Sequence, residues 1–355
     1  MERNSLDVYI GTYTRVNSSE GIYHSVLDLE TGKLSEPDLS CVVPNPTFLE
    51  IHPNGKFLYA ISEREPGAVS AFAIHKESRK LEFINKSSSE GKGPCHLCIS
   101  NDGKVLLTAN YGSGSVASIP IKDDGSLADP ASSFQHSGSS VNPGRQKGPH
   151  AHSVNLSPDN RFAYVADLGI DKLMVYSLDT GSGKIVQNNP SEIRIKPGAG
   201  PRHFTFHPNG KIAYLINELN ATIVSFAYDS LNGNLSELQA ISTLPEGFSG
   251  PNLCAEVKVH PNGNFLYGSN RGHDSIAIYK ISPSDGKLAL LGFQNSGIRS
   301  PRNFNIEPTG KFCVVANQDS DSVIIFRVNQ ETGLLEPTDQ VIKVGKPVCV
   351  RFLKR

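Results

Sequence analysis

Residues 201–218 read PRHFTFHPNGKIAYLINE: a strand-like run, a Pro-Asn-Gly turn and a second apolar alternation. The chain then repeats the phrase. PTFLEIHPNGKFLYAISE begins at Pro46, PCHLCISNDGKVLLTANY at Pro94 and AHSVNLSPDNRFAYVADL at Ala151, while CAEVKVHPNGNFLYGSNR follows at Cys254 and PRNFNIEPTGKFCVVANQ at Pro301. Successive starts lie 47 to 57 residues apart. Pro fixes φ and Gly accepts positive φ at the reversal, so each copy predicts a β-hairpin. A third apolar alternation follows each one, as in residues 275–279, and then a Thr-Gly-Lys-Leu-like turn (residues 31–34, 285–288 and 331–334) leads into a fourth run. Four short antiparallel strands per period of about 50 residues are the mark of a β-propeller blade.

The two ends of the chain complete the count. Residues 347–352 (PVCVRF) match the first strand of the phrase and stop, whereas residues 7–13 (DVYIGTY) match its second strand and open the chain. Joined, they predict a seventh blade made of one C-terminal and three N-terminal strands. Such closure removes the sheet edges that an open array would expose. The expected fold is all-β: a single seven-bladed β-propeller domain over residues 1–355, with four-stranded antiparallel blades.

Composition narrows the partners. With 34 Lys+Arg against 35 Asp+Glu the formal net charge is -1, which argues against nucleic acid or an anionic membrane surface as the main partner. The first residues, MERNSLDVYI, lack the apolar stretch of a signal peptide, and no run is long enough to span a membrane. A cytoplasmic protein, monomeric or weakly dimeric, is expected. The cysteines Cys41, Cys95, Cys98, Cys254, Cys313 and Cys349 read as buried thiols. Cys95 and Cys98 form a C-x-x-C, but residues three apart on a strand point to opposite faces, so no metal is expected there. The sequons at Asn155, Asn220 and Asn234 carry little weight without an export signal.

Strands alternate in direction within a blade, so the loops sort onto two faces. The Pro-Asn-Gly and Thr-Gly-Lys turns share one face and scarcely vary. The copies disagree on the other. The last residue of the second strand, read around the ring, is Tyr13, Glu63, Tyr111, Leu168, Glu218, Arg271 and Gln318. The second or third residue of the first strand is Thr47, His96, His152, Arg202 with His203, Glu256, and Arg302. Packing alone favours similar residues at equivalent positions, as at Tyr9, Tyr59, Tyr164, Tyr214 and Tyr267. A slot filled by acids, bases, amides and aromatics reads instead as a polar site at the mouth of the channel.

The longest spacing adds to this. Its excess is a loop, SSFQHSGSSVNPGRQKGPHAHS, that carries His136, Arg145, Gln146, His150 and His152 towards the mouth. Structural readings stand beside the functional ones. His52, His207 and His260 recur in the turn and read as turn-holding groups, and Asp167 and Asp171 as holders of a blade turn or a histidine. Glu63, Glu218 and Glu256 could serve only in channel-lining ion pairs. His150 and His152, two apart, should share a strand face, and an anion suits them better than zinc, which needs a third ligand. Residues 112–115 (GSGS) resemble a phosphate loop in composition only, with neither its lysine nor a following helix.

With those residues in view, the chain resembles the β-propeller 6-phosphogluconolactonase family, which includes the carboxy-cis,cis-muconate cyclases. The resemblance spans the whole chain and is most specific at residues 136–153, 165–173, 200–219 and 269–277. It implies hydrolysis of the small-molecule substrate 6-phospho-D-glucono-1,5-lactone to 6-phospho-D-gluconate, without cofactor or metal. A muconate-type cyclase is the alternative, and a non-catalytic propeller binding module a distant third, given Arg, His and Glu in place of an apolar patch. The site residues proposed for the cyclase branch, a histidine, two arginines and a glutamate, match His150 or His152, Arg202, Arg271 and Glu218. Opening a lactone needs an activated water and a stabilised oxyanion. Glu218 or His150 is expected to take the proton and Arg202 and Arg271 to meet the negative charge. Arg145, Arg302 and His203 are expected to bind phosphate, with Gln146, Glu63 and His96 completing the substrate-binding set. No Gly-x-Ser-x-Gly elbow is present, so no acyl-enzyme is expected.

Overall fold

A computed structural model describes residues 4–14 and 18–355. Its strands form seven four-stranded antiparallel sheets, one per blade. Blade 1 comprises Leu49–Ile51, Phe57–Ser62, Ala68–Ile74 and Leu81–Ser88; blade 2 comprises Pro94–Ile99, Val105–Asn110, Ser115–Pro120 and Ser132–Gln135. Blade 3 runs from Ala151–Leu156 to Lys184–Arg194, blade 4 from Pro201–Phe206 to Asn234–Ser242, blade 5 from Leu253–Val259 to Leu288–Gln294 and blade 6 from Pro301–Ile306 to Leu335–Lys343. The last blade pairs Pro347–Lys354 with Ser5–Thr12, followed by Gly21–Asp28 and Asp38–Val42, so the ring closes as the chain ends predict.

The core lies between blades, and this explains the burial pattern along each one. Second strands such as Val105–Asn110 and Phe162–Asp167 are buried at every position because a neighbouring sheet covers each face. Outer strands such as Leu81–Ser88 mix buried and exposed positions, with one side towards solvent. Tyr164, Val175, Phe204 and Leu215 pack blades 3 and 4 together, and Val8, Ile10, Val314 and Ile325 do the same between blade 6 and the closing blade.

The repeated tyrosine and histidine are polar latches between neighbours. Tyr59 donates to the Gly125 carbonyl at 2.9 Å, Tyr164 to Gly233 at 2.8 Å, Tyr214 to Gly286 at 2.9 Å and Tyr267 to Gly333 at 2.8 Å, each in the third-to-fourth-strand turn of the next blade. Tyr9 makes the corresponding bond from the closing blade to the Arg79 carbonyl of blade 1 at 3.1 Å. Blades 2 and 6 carry Leu107 and Val314 in that slot and lack the latch. On the same face, Nδ1 of His52 accepts the Asn54 N–H and its Nε2 therefore donates to the Gly103 carbonyl, 2.9 Å away in blade 2. His207 and His260 repeat this with Gly263 and Gly310. Gly103 sits at φ +74°, and a Cβ there would lie 2.3 Å from the His52 ring, so both conformation and space demand glycine. Tyr267→Phe, which leaves a buried carbonyl without its donor, should lower unfolding free energy by about 1–2 kcal/mol. Urea denaturation measures this, and kcat should not change.

Candidate functional site

A β-bulge builds the channel mouth. In blade 4, Pro201 pairs with Asn217 but His203 pairs with Ile216, so Arg202 is an extra residue. The same shift occurs at residues 94–96, 151–153 and 301–303. A regular strand would send successive side chains to opposite faces; the bulge turns two consecutive residues inwards. The slots therefore resolve into two rings. Thr47, Cys95, His152, Arg202 and Arg302 line a small cavity at the mouth. Beneath them Phe48, His96, His203, Glu256 and Asn303 touch one another.

Three arginines converge on Glu218, one residue past its strand and 3% exposed. Oε2 accepts from Arg202 Nε at 2.8 Å and Arg271 Nη2 at 3.0 Å; Oε1 accepts from Arg145 Nη2 at 2.6 Å. Arg202 is anchored further on the Ala255 carbonyl at 2.6 Å, and Arg271 on the carbonyls of Leu253 and Cys254. Burial opposes the Glu218 charge, but Arg202, Arg271 and Arg145 outweigh it and hold the carboxyl at about 2. Burial and the neighbouring Arg202 pull Arg271 down, yet a guanidinium starts so high that it stays protonated at neutral pH. Across the mouth, Glu63 accepts from Thr47 at 2.7 Å and from Tyr13 at 3.0 Å, and the Tyr13 hydroxyl accepts from Arg302 at 3.2 Å. Four arginines thus face two carboxylates.

The two neighbouring histidines part company. His150 precedes the strand and stacks on Tyr111, ring centroids 4.4 Å apart, with Nδ1 donating to the Tyr111 carbonyl at 2.9 Å. His152 points into the cavity, its Nε2 3.8 Å from Glu218 Oε2 and its Nδ1 3.8 Å from the Cys95 sulfur. Burial, then Arg202, His203 and Arg302, hold its pKa well below the ordinary histidine value, so it is neutral. His203 is pulled down to about 4 by burial against the pull of Glu256, to which its Nδ1 bonds at 2.9 Å, and His96 is lowered by burial and by His203.

Acid should therefore loosen this channel early. Unfolded imidazoles titrate near 6.5, so below that pH the unfolded chain binds protons that His96, His152 and His203 refuse when folded. Stability present above about pH 6.5 is lost by about 1.4 kcal/mol per histidine per pH unit below it. Glu218 adds stability above its unfolded value, lost only as pH falls towards about 2. The thermal midpoint should fall between pH 7 and 5, less steeply in His203→Gln; a flat midpoint over that range would contradict the buried neutral state.

The long loop delivers Arg145 and little else to the mouth. His136 and Gln146 are buried beneath it: His136 bridges Asp167 at 2.6 Å and Tyr176 at 3.0 Å, and Gln146 bonds the Leu168 carbonyl and the Asn142 N–H. Asp171 accepts from Ser140 of the loop and from the N–H groups of Gly198 and Gly200, which ties the loop to the strand bearing Arg202. Glu63, His96, Arg145, His152, Arg202, His203, Glu218, Arg271 and Arg302 come together in or under the mouth, His150 lies beside it, and Gln146 supports the loop. Among the residues left out of the expected set, Tyr13 and Tyr111 each hold an arginine, and Asn303 donates to Glu256. Arg351 lies over Phe48 and bonds Glu50. Cys95 lines the cavity with its thiol 3.1 Å from the His152 carbonyl, and Cys98 packs in the apolar layer between blades 2 and 3; the bulge at residues 94–96 offsets the alternation, so both thiols lie towards blade 3 and not on the opposite faces expected of a C-x-x-C on a strand. No group of His, Cys, Asp and Glu able to hold a metal occurs among the described residues, and no helix there is long and apolar enough to cross a membrane.

The sequence model of the family described as "Lactonase, 7-bladed beta-propeller" matches residues 7–352. A 6-phosphogluconolactonase of Bacillus subtilis is 37% identical over 97% of both chains, and one of Formosa agariphila is 35% identical over 84% of this chain and 86% of its own. The solved structure of a Pseudomonas aeruginosa periplasmic gluconolactonase superposes with a TM-score of 0.93 at 32% identity, covering 98% of this chain and 99% of that one.

Proposed function

Because the chain belongs to the seven-bladed β-propeller lactonase family, we propose that it hydrolyses 6-phospho-D-glucono-1,5-lactone to 6-phospho-D-gluconate, the second step of the oxidative pentose phosphate pathway. One observation carries the reading: three guanidiniums gathered on the Glu218 carboxylate, with a neutral histidine 3.8 Å away. The cationic excess of the mouth suits a phosphorylated substrate, and a sugar phosphate confines the reaction to the cytoplasm. Every side chain invoked belongs to one chain, so a monomer suffices.

In this reading Glu218 is not the base. Three guanidinium hydrogen bonds already occupy both of its oxygens, which leaves neither aimed at a water. It keeps Arg145, Arg202 and Arg271 in register. His152 takes a proton from a water that attacks C1 of the lactone, and Arg271 with Arg202 meets the oxyanion that forms on the carbonyl oxygen. Collapse of that adduct breaks the bond from C1 to the ring oxygen, which receives the proton back from His152 and leaves as the C5 hydroxyl. The new carboxylic acid releases its proton to solvent.

Nuclear magnetic resonance of lactone generated in place from glucose 6-phosphate tests the substrate. With catalytic protein, 6-phosphogluconate should appear far ahead of the uncatalysed time course. An unchanged time course overturns the reading, and turnover of carboxy-cis,cis-muconate in its place would favour the cyclase.

A further inference from the structure

The mouth holds two arginine–tyrosine pairs in corresponding slots. Tyr13 and Tyr111 each follow the second strand of their blade, and each hydroxyl accepts from an arginine at 3.2 Å, Arg302 in one case and Arg145 in the other. Their surroundings differ. We propose, resting on the lactonase reading above, that the 6-phosphate of the substrate seats on Arg145, Tyr111 and His150, and that the Tyr13–Glu63–Arg302 side receives the sugar hydroxyls.

The Tyr13 pair is charge-balanced by Glu63, and its hydroxyl is saturated. Its hydroxyl donates to Glu63 Oε1 at 3.0 Å, Thr47 covers Oε2 at 2.7 Å, and the Arg302 guanidinium lies 5.5 Å from the Tyr13 ring centroid. A dianion there would meet the Glu63 carboxylate, whereas a neutral hydroxyl can both donate to Glu63 and accept from Arg302. The Tyr111 pair is open. Among the described residues, no acceptor takes the Tyr111 hydroxyl proton, and Arg145 donates through Nη2 alone, to Tyr111 and Glu218. Its Nε and Nη1 are uncommitted, and 35% of its side chain is exposed. The one carboxylate it touches is already compensated by Arg202 and Arg271. His150, stacked on Tyr111, donates Nδ1–H to a carbonyl, so its Nε2 meets a ligand as an acceptor for a phosphate P–OH in the neutral ring and as a donor to a phosphate oxygen in the imidazolium.

These are the groups that phosphate recognition uses: a guanidinium with donors to spare, a hydroxyl donor and an imidazole nitrogen. A third basic place fits worse. The groove beside Arg271 and Arg299 is also lined by Asp274 and Asp319, and Arg299 is paired with Asp274 at 3.4 Å. The proposal also gives the longest blade connection a task. Asp167 and Asp171 fasten that loop through His136, His150 and Ser140, and its product at the mouth is Arg145.

The test is the ratio of kcat/KM for 6-phosphogluconolactone to that for unphosphorylated gluconolactone, in which any shared effect on the chemical step cancels. Arg145→Gln should lower the ratio by about 100-fold. Tyr111→Phe should lower it by about 5- to 10-fold. Arg302→Gln should slow both substrates and leave the ratio within about threefold of wild type, because it loses bonds common to both. Inorganic phosphate, used as a competitive inhibitor of gluconolactone hydrolysis, provides the second readout: its inhibition constant should rise in Arg145→Gln and hold in Arg302→Gln. A ratio lost in Arg302→Gln and kept in Arg145→Gln would overturn the assignment. A wild-type ratio near one would overturn the phosphorylated-substrate reading itself, and this proposal with it.

Discussion

Glu218→Gln is expected to lower kcat/KM on the phosphorylated lactone by about 10²–10³-fold while the ring of blades stays folded. The carboxylate is the shared acceptor of Arg145, Arg202 and Arg271. An amide offers one acceptor atom and turns its own N–H donors towards a guanidinium, so the three can no longer converge. Arg202 and Arg271 keep their backbone anchors at Ala255, Leu253 and Cys254. Arg145 keeps only Tyr111 and should be the first to drift. Circular dichroism should match wild type. Because Glu218 is ionised down to about 2, no limb of the wild-type pH profile above pH 4 should belong to it. Turnover within threefold of wild type would remove Glu218 from the machinery.

His152→Asn is expected to cost about 10²–10⁴-fold in kcat, the usual worth of a general base. Its pH dependence separates this role from a structural one. A base must be unprotonated, so activity is present above its folded pKa and lost as pH falls through it. Burial and the charges of Arg202 and Arg302 hold that value well below the ordinary histidine range. The acid limb of wild-type kcat/KM should therefore lie below about 6.5, with a plateau through neutrality. In His152→Asn the residual rate should lose that limb. A variant that kept both the limb and a near-normal kcat would move the role to His150, whose ring lies against the same tyrosine.

The fold was legible because turn chemistry repeats. Pro-Asn-Gly and Thr-Gly-Lys recur where tight reversals need them, and the buried tyrosine recurs because it latches each blade to the next. The closing blade followed from two half-phrases at the chain ends. Divergence at equivalent slots located the mouth, since packing gives no reason to place Arg202, His152 and Thr47 alike. Strand alternation then misled in one respect: it puts residues two apart together and neighbours apart. The bulge at the first strand of most blades reverses this, so Arg202 and His203 both enter the channel, while His150 stacks on Tyr111 and His152 meets the same ring edge-on. Nor does spacing show that Arg145 reaches Glu218, 73 residues away, because loop reach is set by Asp167 and Asp171 through hydrogen bonds that no local pattern encodes. The depressed pKa of Glu218 was equally hidden. It depends on how many guanidiniums converge, which only the closed ring brings about.

The central claim is that a water activated by His152, and no protein nucleophile, opens the lactone beneath the arginine cluster. A single turnover with protein in excess, run in ¹⁸O-water, tests it directly. One labelled oxygen should appear in the carboxylate of 6-phosphogluconate, with the mass of the protein, and of its Glu218-containing and Cys95-containing peptides, unchanged. Label incorporated at Glu218, or a trapped acyl adduct on either residue, would contradict the account.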